Sequence, residues 1–416
     1  MSRAALSPTV LAPADAASAV DVPLHDRIAS HGDLAGLATW IELSESALAH
    51  NLAFFRGLVG PDVELSSVIK ANAYGHGALE MARLVTRHGA DSFCVHAVEE
   101  ATALRRAGYA QDVLILGHVP HARLDEVVGG GFRVVAFNLE SVERLAARAR
   151  ALGRPARLHL KIETGTHRQG VEGAALDALV ECVAASPWLV LDGVYTHFAD
   201  IEDTTDPTNA RRQLARFRAA LERIEAAGLD PGTRHAACSA AALVDGATHF
   251  DMLRLGIGQY GFWSSGETLV SHRLHNPQAA RGDLRPVATW KTRIGQLKWI
   301  DDGAAVGYGG TWRATRQTRL AVLPIGYSDG YDRSLSNAAH VLVRGRRAPV
   351  RGRVCMNLLL VDVTDVPEVM LEDEVVLLGR QGASEVTAEE LASLAGTIHY
   401  EIVARLRAGM PRRIVD

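Results

Sequence analysis

Five side chains that can do chemistry follow short apolar segments of the sequence, at the points where strands would end: Lys70, Arg168, His197, Ser239 and Arg254. The segment VELSSVIK ends on Lys70, whose ammonium is costly to desolvate. Burial there would lower the pKa of the lysine from its reference value of about 10.4 and leave part of the amine neutral. A partly neutral lysine is the group that amine chemistry on carbonyl compounds requires.

A second pattern lies at the ends of the last two strand-like segments, where Ser239 precedes the glycine-rich LGIGQYG (255–261). In barrels of parallel strands these positions commonly form a phosphate site. A reactive amine after the first strand, facing a phosphate site after the last two, fits pyridoxal 5'-phosphate held as a Schiff base on Lys70. Each residue alone also has an ordinary reading, as a solvated lysine, a core histidine or an ion-paired arginine.

Such a site needs a scaffold that gathers strand ends, and the sequence from Thr39 to about residue 265 has a suitable pattern. Short apolar segments alternate with amphipathic segments of helical length, such as 209–228. The alternation predicts an N-terminal (β/α)8 TIM-type barrel with catalytic groups at the C-terminal strand ends. The eight strand segments are 63–70, 92–96, 112–117, 132–137, 157–163, 188–198, 233–239 and 250–256.

After about residue 285 the sequence becomes strand-like and punctuated by glycine, with one helix predicted over 387–396. The first residues, rich in Ala, Pro and Ser, are better explained as a loose tail than as a secretory signal. We therefore predict a flexible N-terminal tail over 1–36, a cofactor-binding barrel over 37–285, and a C-terminal, mostly antiparallel β domain over 286–416 that carries the second catalytic base.

Composition excludes several classes of function. The chain has 416 residues with 44 basic and 48 acidic side chains, so there is no basic field for nucleic acid. No run of about eighteen apolar residues predicts a membrane span. The four cysteines lack zinc-type spacing, and no metal is expected. Together with the absent signal, these features predict a cytoplasmic protein.

From Thr39 to the C-terminus the sequence resembles the bacterial alanine racemases, which are fold-type III pyridoxal phosphate enzymes. Its segment VIKANAYGHG is similar to the cofactor-lysine signature of that family. Eight further motifs follow in family order: KIETGTHRQG (161–170), THFADIED (196–203), CSAA (238–241), MLRLGIGQYG (252–261), AVGYGGTW (305–312), LPIGYSDGY (323–331), GRVCMN (352–357) and TIHYE (397–401).

The resemblance implies that two residues exchange protons with the substrate. Lys70 would hold the cofactor and, once the substrate frees it, would act as one catalytic base. Tyr308 would be the other base and would enter the site from the partner subunit, which implies an obligate head-to-tail homodimer with shared active sites. Two bases are needed because racemisation removes a proton from one face of Cα and returns it on the other. The implied activity interconverts L-alanine and D-alanine and supplies D-alanine for peptidoglycan.

Other matching residues would, by the same resemblance, bind the cofactor or the substrate. Lys161 matches a lysine that is carbamylated in some members. Arg254 would face the pyridine nitrogen, and because arginine cannot accept a proton, the ring would stay a weak electron sink that limits transamination. The implied groups are phosphate ligands (Tyr74, Ser239, Gly256, Ile257, Tyr400), a ring neighbour that orients Arg254 (His197), substrate-carboxylate ligands (Arg168 and the Met356 amide) and entrance residues (Tyr327, Arg353).

Three departures leave alternatives open. Glu163, Thr166 and Asn357 stand where the family more often has Asp, Met and Asp. Changes at Thr166 and Asn357 could alter which substrate side chain fits, so a broader racemase acting on serine or basic amino acids is an alternative. A fold-type III decarboxylase is a further one, although such enzymes typically place a glutamate where Arg254 stands. A non-catalytic pyridoxal phosphate carrier resembles the barrel alone.

Overall fold

The computed structural model describes residues 36–275 and 283–416, so the predicted tail lies outside the described residues except for Gly36. The strands are β1 Thr39–Ser44, β2 Glu64–Val68, β3 Ser92–Val95, β4 Val113–Ile115, β5 Arg133–Ala136, β6 Ala156–Lys161, β7 Leu189–Tyr195, β8 Thr233–His235, β9 Met252–Leu255, β10 Ala288–Arg293, β11 Gln296–Ile300, β12 Ala305–Val306, β13 Trp312–Arg313, β14 Thr318–Leu323, β15 His340–Val343, β16 Arg346–Pro349, β17 Leu359–Asp362, β18 Glu374–Gln381, β19 Ser384–Val386 and β20 Arg412–Val415.

Helical segments separate the first group of strands and close the chain. They are α1 Glu45–Val59, α2 Lys70–Tyr74, α3 Ala78–Arg87, α4 Val98–Arg106, α5 Leu124–Gly130, α6 Leu139–Ala151, α7 Gly173–Ala185, α8 Thr208–Ala226, α9 Ser239–Val244, α10 Gly266–His275, α11 Ala388–Ala395 and α12 His399–Ala404. Among the described residues, none of the helices is both long enough and apolar enough to cross a membrane.

The eight predicted barrel strands all form, and they make one parallel sheet in the order β8-β7-β6-β5-β4-β3-β2-β9. Backbone hydrogen bonds from Asp251 N to Arg234 O (3.0 Å) and from Arg254 N to Ala237 O (3.1 Å) bring its two edges together. The barrel is therefore nearly closed, as predicted. Because each strand is covered by helices outside and side chains inside, it reads as an almost continuous apolar run.

The C-terminal part is mostly antiparallel, also as predicted. One sheet runs β16-β15-β18-β10-β1-β20 with β19 beside β18, and a second runs β11-β14-β17. The pair β1–β20 is parallel, whereas the other pairs of the first sheet are antiparallel.

Strand β1 is the point where the architecture departs from the simplest interpretation of the sequence. The β/α alternation groups this segment with the barrel, but it pairs with β10 and β20 and completes the C-terminal sheet. Trp40, Ile41 and Leu43 are fully buried there. The chain therefore enters through the second sheet before it builds the barrel, which ties the two parts together at both chain ends.

The helix predicted over 387–396 is confirmed as α11. The Thr387 hydroxyl accepts a hydrogen bond from Glu390 N at 3.1 Å, and Gly396 ends the helix with a φ of 71°. The next helix, α12, packs against the segment that follows Lys70 and so brings the C-terminal part to the mouth of the barrel.

Candidate active site

A cavity of about 1400 Å³ opens at the C-terminal ends of the barrel strands. Ten of the fourteen residues predicted for the site line it: Lys70, Tyr74, Lys161, Arg168, His197, Ser239, Arg254, Gly256, Ile257 and Tyr400. The other four, Tyr308, Tyr327, Arg353 and Met356, lie outside it on the C-terminal part. The strand ends thus gather the residues that sequence spacing alone leaves scattered over more than three hundred positions.

Lys70 leaves strand β2 in an uncommon backbone conformation. Ala71, Asn72, Ala73 and Tyr74 have φ angles between 52° and 55°, so the segment forms a left-handed turn. Such a turn costs roughly 1–2 kcal/mol per L-residue and persists only where the surroundings fix it. Here Glu100 Oε1 accepts from Ala71 N at 2.7 Å, and Asn72 Oδ1 accepts from Ala78 N at 3.0 Å. These hydrogen bonds fix the strained turn, so that Lys70 and Tyr74 both line the cavity.

The amine of Lys70 is electrostatically prepared for chemistry. Burial, followed by the positive charge of Arg168, lowers its pKa from the ordinary value. A larger share of the amine is therefore neutral near physiological pH, which an amine needs in order to attack a carbonyl or to accept a proton.

Hydroxyl groups converge beside Gly256 in the same cavity. The Ser239 hydroxyl accepts from Gly256 N and Gly258 N, both at 3.1 Å, which fixes its oxygen beside this loop. A Cβ placed on Gly256 would stand 3.0 Å from the Tyr74 hydroxyl and 3.9 Å from the Ser239 hydroxyl. Glycine therefore leaves a small polar recess between these groups, of the kind that suits a phosphate.

Tyr400, on α12, completes this recess from the C-terminal part. Its ring centroid lies 6.3 Å from that of Tyr74. Burial raises the pKa of both phenols above the ordinary value, so both remain protonated hydrogen-bond donors. Neutral donors suit an anionic phosphate.

Arg254 is buried at the end of β9 and is held by backbone carbonyls. Its Nη2 donates to Thr196 O at 2.8 Å and to Ala236 O at 3.0 Å, and its Nη1 lies 2.6 Å from His235 Nδ1. His197 Nδ1 lies 3.5 Å from the same Nη2. Burial, followed by the charge of Arg254, holds the pKa of His197 well below its ordinary value, so this imidazole is neutral beside a fixed cation.

The loop that carries Arg168 is anchored by two of the residues that depart from the family. Glu163 Oε1 accepts from Gly165 N at 2.6 Å and from Thr166 N at 2.7 Å. The Thr166 hydroxyl donates to His197 O at 2.6 Å. Thr166 therefore ties the Arg168 loop to the His197 segment.

Lys161 lies buried beneath that loop. Its Nζ donates to Gln169 Oε1 at 3.2 Å and lies 5.4 Å from the Tyr195 ring centroid. Burial, followed by the charges of Arg168 and Arg254, lowers its pKa to about 8. The lysine thus adds to the group of cations formed by Arg168, Arg254 and Lys70.

Tyr308, Tyr327, Arg353 and Met356 form one exposed patch, which we call the Tyr308 surface. Tyr308 is 73% exposed, Met356 56% and Tyr327 42%. A Cβ on Gly309 would stand 2.9 Å from Arg353 Nη1, which places this guanidinium beside the Tyr308 turn. Tyr327 N donates to Cys355 O at 3.0 Å, which places Tyr327 beside Met356, the next residue in the chain after Cys355. Asn357 belongs to the same region and donates to Ser328 Oγ at 2.7 Å.

Three residues of the site were missed by the sequence analysis. Tyr195 lies in the barrel with the Arg254 guanidinium 4.9 Å from its ring centroid, His235 stacks on Tyr195 at 4.7 Å, and Gln169 contacts Lys161. Tyr195 and His235 end strands that were correctly predicted, so the strand-end rule that selected Lys70 could have found them.

The residues present fit pyridoxal phosphate. Lys70 supplies the amine, the Gly256 recess supplies phosphate donors, and Arg254 supplies a fixed cation in the same cavity. A barrel with this donor set, joined to a β domain, defines a pyridoxal phosphate enzyme of the barrel-containing class.

The family follows from comparison with known proteins. Residues 43–263 match the model of the alanine racemase N-terminal domain, and residues 287–414 match that of the C-terminal domain. The chain belongs to the alanine racemase family. Alanine racemase from Symbiobacterium thermophilum is 41% identical over 381 residues, covering 91% of this chain and 98% of that protein. Alanine racemase from Syntrophobacter fumaroxidans is 41% identical over 364 residues, covering 88% and 94%.

Solved structures agree. Alanine racemase from Streptomyces coelicolor A3(2) has a TM-score of 0.85 and 34% identity, covering 92% of this chain and 99% of that chain. Alanine racemase from Bacillus anthracis with bound L-Ala-P has a TM-score of 0.84 and 30% identity, covering 91% and 95%. Histidine racemase from Leuconostoc mesenteroides also matches, with a TM-score of 0.80, 27% identity, and coverage of 92% and 99%.

Proposed function

We propose that this chain is a pyridoxal phosphate-dependent alanine racemase that interconverts L-alanine and D-alanine and supplies D-alanine for peptidoglycan. The observation that carries the proposal is the position of Lys70, an amine of lowered pKa that faces both the Gly256 recess and the Arg168–Arg254 group within one cavity. Residence in the cytoplasm remains a prediction, as does the division into a tail over 1–36, a barrel over 37–285 and a β domain over 286–416.

Each residue then has a defined task. Tyr74, Ser239, Tyr400 and the backbone at Gly256 and Ile257 bind the phosphate. Arg254 would face the pyridine nitrogen and would leave it unprotonated, because a guanidinium holds its own proton at any working pH. When bound, pyridoxal phosphate supplies an electron-withdrawing ring that acidifies the Cα–H of an attached amino acid.

The proton at Cα is moved by two bases. The Nζ of Lys70 would take or return it on one face, and the Oη of Tyr308 of the partner subunit would do so on the other. Arg168 and the Met356 amide hold the carboxylate, so Cα stays in line between the bases. Burial, followed by the Arg168 charge, also lowers the pKa of the Lys70 amine and so favours its neutral form.

The position of Tyr308 supports a head-to-tail homodimer with shared active sites. Its side chain lies outside the cavity of its own chain and is exposed together with the rest of the Tyr308 surface. Exposed apolar side chains in such a group are typical of a surface that another subunit covers. In the dimer, Tyr308, Tyr327, Arg353 and Met356 would approach the cavity of the partner.

The test is racemisation by the purified holoenzyme. We expect D-alanine to form from L-alanine without release of carbon dioxide, and Lys70→Ala to abolish it. Carbon dioxide release in place of D-alanine would favour a decarboxylase. The absence of both products would contradict catalysis on alanine. Tyr109→Phe is the folding control, because the Tyr109 hydroxyl donates a hydrogen bond to Leu79 O and lies away from the cavity.

A broader amino-acid racemase is a second candidate. The chain also matches the solved structure of a histidine racemase, an enzyme whose substrate has a larger side chain than alanine. A panel of L-serine, L-lysine, L-arginine and L-histidine beside L-alanine separates the two. A kcat/KM for any of these equal to that for alanine would favour the broader activity.

A further inference from the structure

A chain of hydrogen bonds runs through the barrel interior from Arg254 towards the opposite end of the barrel. Arg254 Nη1 lies 2.6 Å from His235 Nδ1, His235 Nε2 lies 2.8 Å from His159 Nδ1, and His159 Nε2 lies 3.4 Å from Asp192 Oδ2. Both histidines are fully buried, so water does not compete for their ring nitrogens. The four residues come from four adjacent strands, β6 to β9.

The chemistry of Arg254 sets the direction of the whole chain. A guanidinium can only donate, so His235 Nδ1 must accept. A neutral His235 then carries its proton on Nε2 and donates it to His159 Nδ1. A neutral His159 in turn carries its proton on Nε2 and donates to the carboxylate of Asp192. One tautomer of each histidine satisfies all three contacts.

The far end of the chain is anchored by charge. Arg157 Nη2 lies 3.0 Å from Asp192 Oδ2, and Arg133 Nε lies 2.6 Å from the same oxygen. Burial opposes ionisation of Asp192, but the hydrogen bond with His159 and the charge of Arg133 outweigh it and bring its pKa down to about 2. Burial lowers the pKa of both His159 and His235, which favours the neutral rings that the chain requires.

The alternative tautomer of His235 would disturb the cofactor side. A proton on Nδ1 would point at the Arg254 guanidinium, donor against donor at 2.6 Å, and would push Arg254 out of place. Tyr195 stacks on His235 with an interplanar angle of 4°, and Arg254 lies over the Tyr195 ring, so stacking fixes the planes but not the protons. The donor from Arg254 and the acceptor at His159 together select the tautomer.

We propose that His159 and Asp192 are positioning residues for the racemase reaction: through His235 they hold Arg254 in the orientation that faces the pyridine nitrogen of the cofactor. This inference rests on the proposed role of Arg254. It assigns a function to a buried polar group that does not line the cofactor cavity. A sheet interior filled by apolar side chains would leave Arg254 with backbone acceptors alone.

The first test needs neither cofactor nor activity. We expect the 15N ring shifts of the histidine-labelled full chain without cofactor to place the proton on Nε2 in both His159 and His235, with assignment by single substitutions. A proton on Nδ1 of either ring, or a doubly protonated ring at neutral pH, would overturn the proposal. Because this measurement is independent of turnover, it remains decisive if the chain proves not to racemise alanine.

The second test compares three variants of the holoenzyme. His159→Phe removes the acceptor for His235, His159→Asn keeps an acceptor oxygen near the position of Nδ1, and His272→Phe replaces a buried histidine that packs on Phe54 and Trp263 instead. We expect His159→Phe to lower kcat about tenfold, with KM within about twofold, as outer-shell changes commonly do. It should also shift the pH dependence of the cofactor absorption.

His159→Asn should recover most of kcat and of the wild-type absorption profile, while His272→Phe should retain both. A His159→Phe variant that matches His272→Phe in kcat and in the absorption profile would overturn the proposal. So would a folded His159→Asn variant that recovers nothing. If His159→Phe does not fold, the nitrogen shifts decide.

Discussion

The carbonyl oxygen of Val403 occupies the place where a side chain on Gly75 would stand: a Cβ on Gly75 would lie 1.9 Å from it. Gly75 ends the left-handed turn that begins after Lys70, and Val403 lies on α12, which also carries Tyr400. Arg412 Nη2 donates to Gly75 O at 2.7 Å and reinforces the contact. Lys70 of the barrel and Tyr400 of the C-terminal part, which we propose as the cofactor lysine and a phosphate ligand, are thus joined through one backbone approach.

Gly75→Ala should therefore weaken both folding and cofactor retention. Gly75 has a φ of 82°, and the added methyl group meets backbone that cannot move aside. We expect a loss of about 2–4 kcal/mol in the free energy of unfolding, from left-handed strain and overpacking together. Urea unfolding followed by cofactor absorbance measures it.

Gly57→Ala is the matched control for that substitution. Gly57 lies in α1, and a Cβ at this position would meet open space, so alanine should raise helix stability by about 0.5–1 kcal/mol. Equal unfolding midpoints for Gly75→Ala and Gly57→Ala would show that the approach to Val403 is not tight.

Tyr74→Phe should weaken binding of the cofactor phosphate. The substitution removes a hydroxyl that lies at the Gly256 recess while leaving the ring contact with Tyr260, whose centroid is 5.1 Å away. One hydrogen bond to a charged group corresponds to a loss of roughly tenfold or more in affinity. Titration of the cofactor-free protein with pyridoxal phosphate measures the loss.

Pyridoxal, which lacks the phosphate, provides the control ligand. Its affinity should be the same for Tyr74→Phe and for the unaltered protein, and Tyr109→Phe should change neither affinity. An equal loss for pyridoxal and pyridoxal phosphate would place the Tyr74 hydroxyl elsewhere than at the phosphate.

Much of the barrel could be predicted from sequence because its physics is local. Strands buried on both faces read as apolar runs, and catalytic groups of a barrel lie where those runs end. That rule alone assigns Lys70, Arg168, His197, Ser239 and Arg254 to one site, and all five line the cavity. The recess at Gly256 could also be predicted, because glycine is the residue that permits a close approach of other groups.

Other features depend on contacts that sequence periodicity does not encode. Strand β1 precedes a helix and looks like a first barrel unit, yet its partners Ala288–Arg293 and Arg412–Val415 lie far along the chain. The left-handed turn after Lys70 contains two alanines, which do not favour such a conformation. His159 and His235 read as strand residues, and only closure of the barrel brings their rings together.

Mixed dimers test whether the active sites are shared. Neither Lys70→Ala nor Tyr308→Phe should support normal racemisation alone. In a hybrid of the two chains, one site receives both mutations and the other receives none. Random exchange should therefore restore about a quarter of the wild-type sites, because half of the dimers are hybrids and each has one intact site.

The control for subunit exchange mixes Lys70→Ala with a chain that carries both substitutions, which should restore nothing. Exchange is verified by mass spectrometry of the dimers. Hybrid dimers without recovered activity would contradict donation of Tyr308 to the site of the partner.

Lys161 should form a carbamate with carbon dioxide. Only the neutral amine adds to carbon dioxide, and a pKa of about 8 leaves a substantial neutral fraction at mildly alkaline pH. The product replaces a cation with an anion beneath Arg168, and the amide of Gln169 can turn to donate to it. We expect a carbamate carbon signal with 13C-bicarbonate that is absent in Lys161→Met. The same signal in Lys161→Met would assign it to another amine.

Without carbon dioxide or cofactor, Lys161 should destabilise the fold in a pH-dependent way. Its pKa is about 8 in the folded chain and 10.5 in its ordinary state, so between these values the unfolded chain binds more protons and stability rises with pH. A gap of this size corresponds to roughly 3 kcal/mol at most below pH 8.

Lys161→Met should therefore raise the free energy of unfolding at pH 7, and the gain should shrink towards pH 10. Lys298→Met, at an exposed lysine of β11, should give no such trend. A gain for Lys161→Met that stays constant across this range would mean that the methionine improves packing and that the buried charge is not the source of the cost.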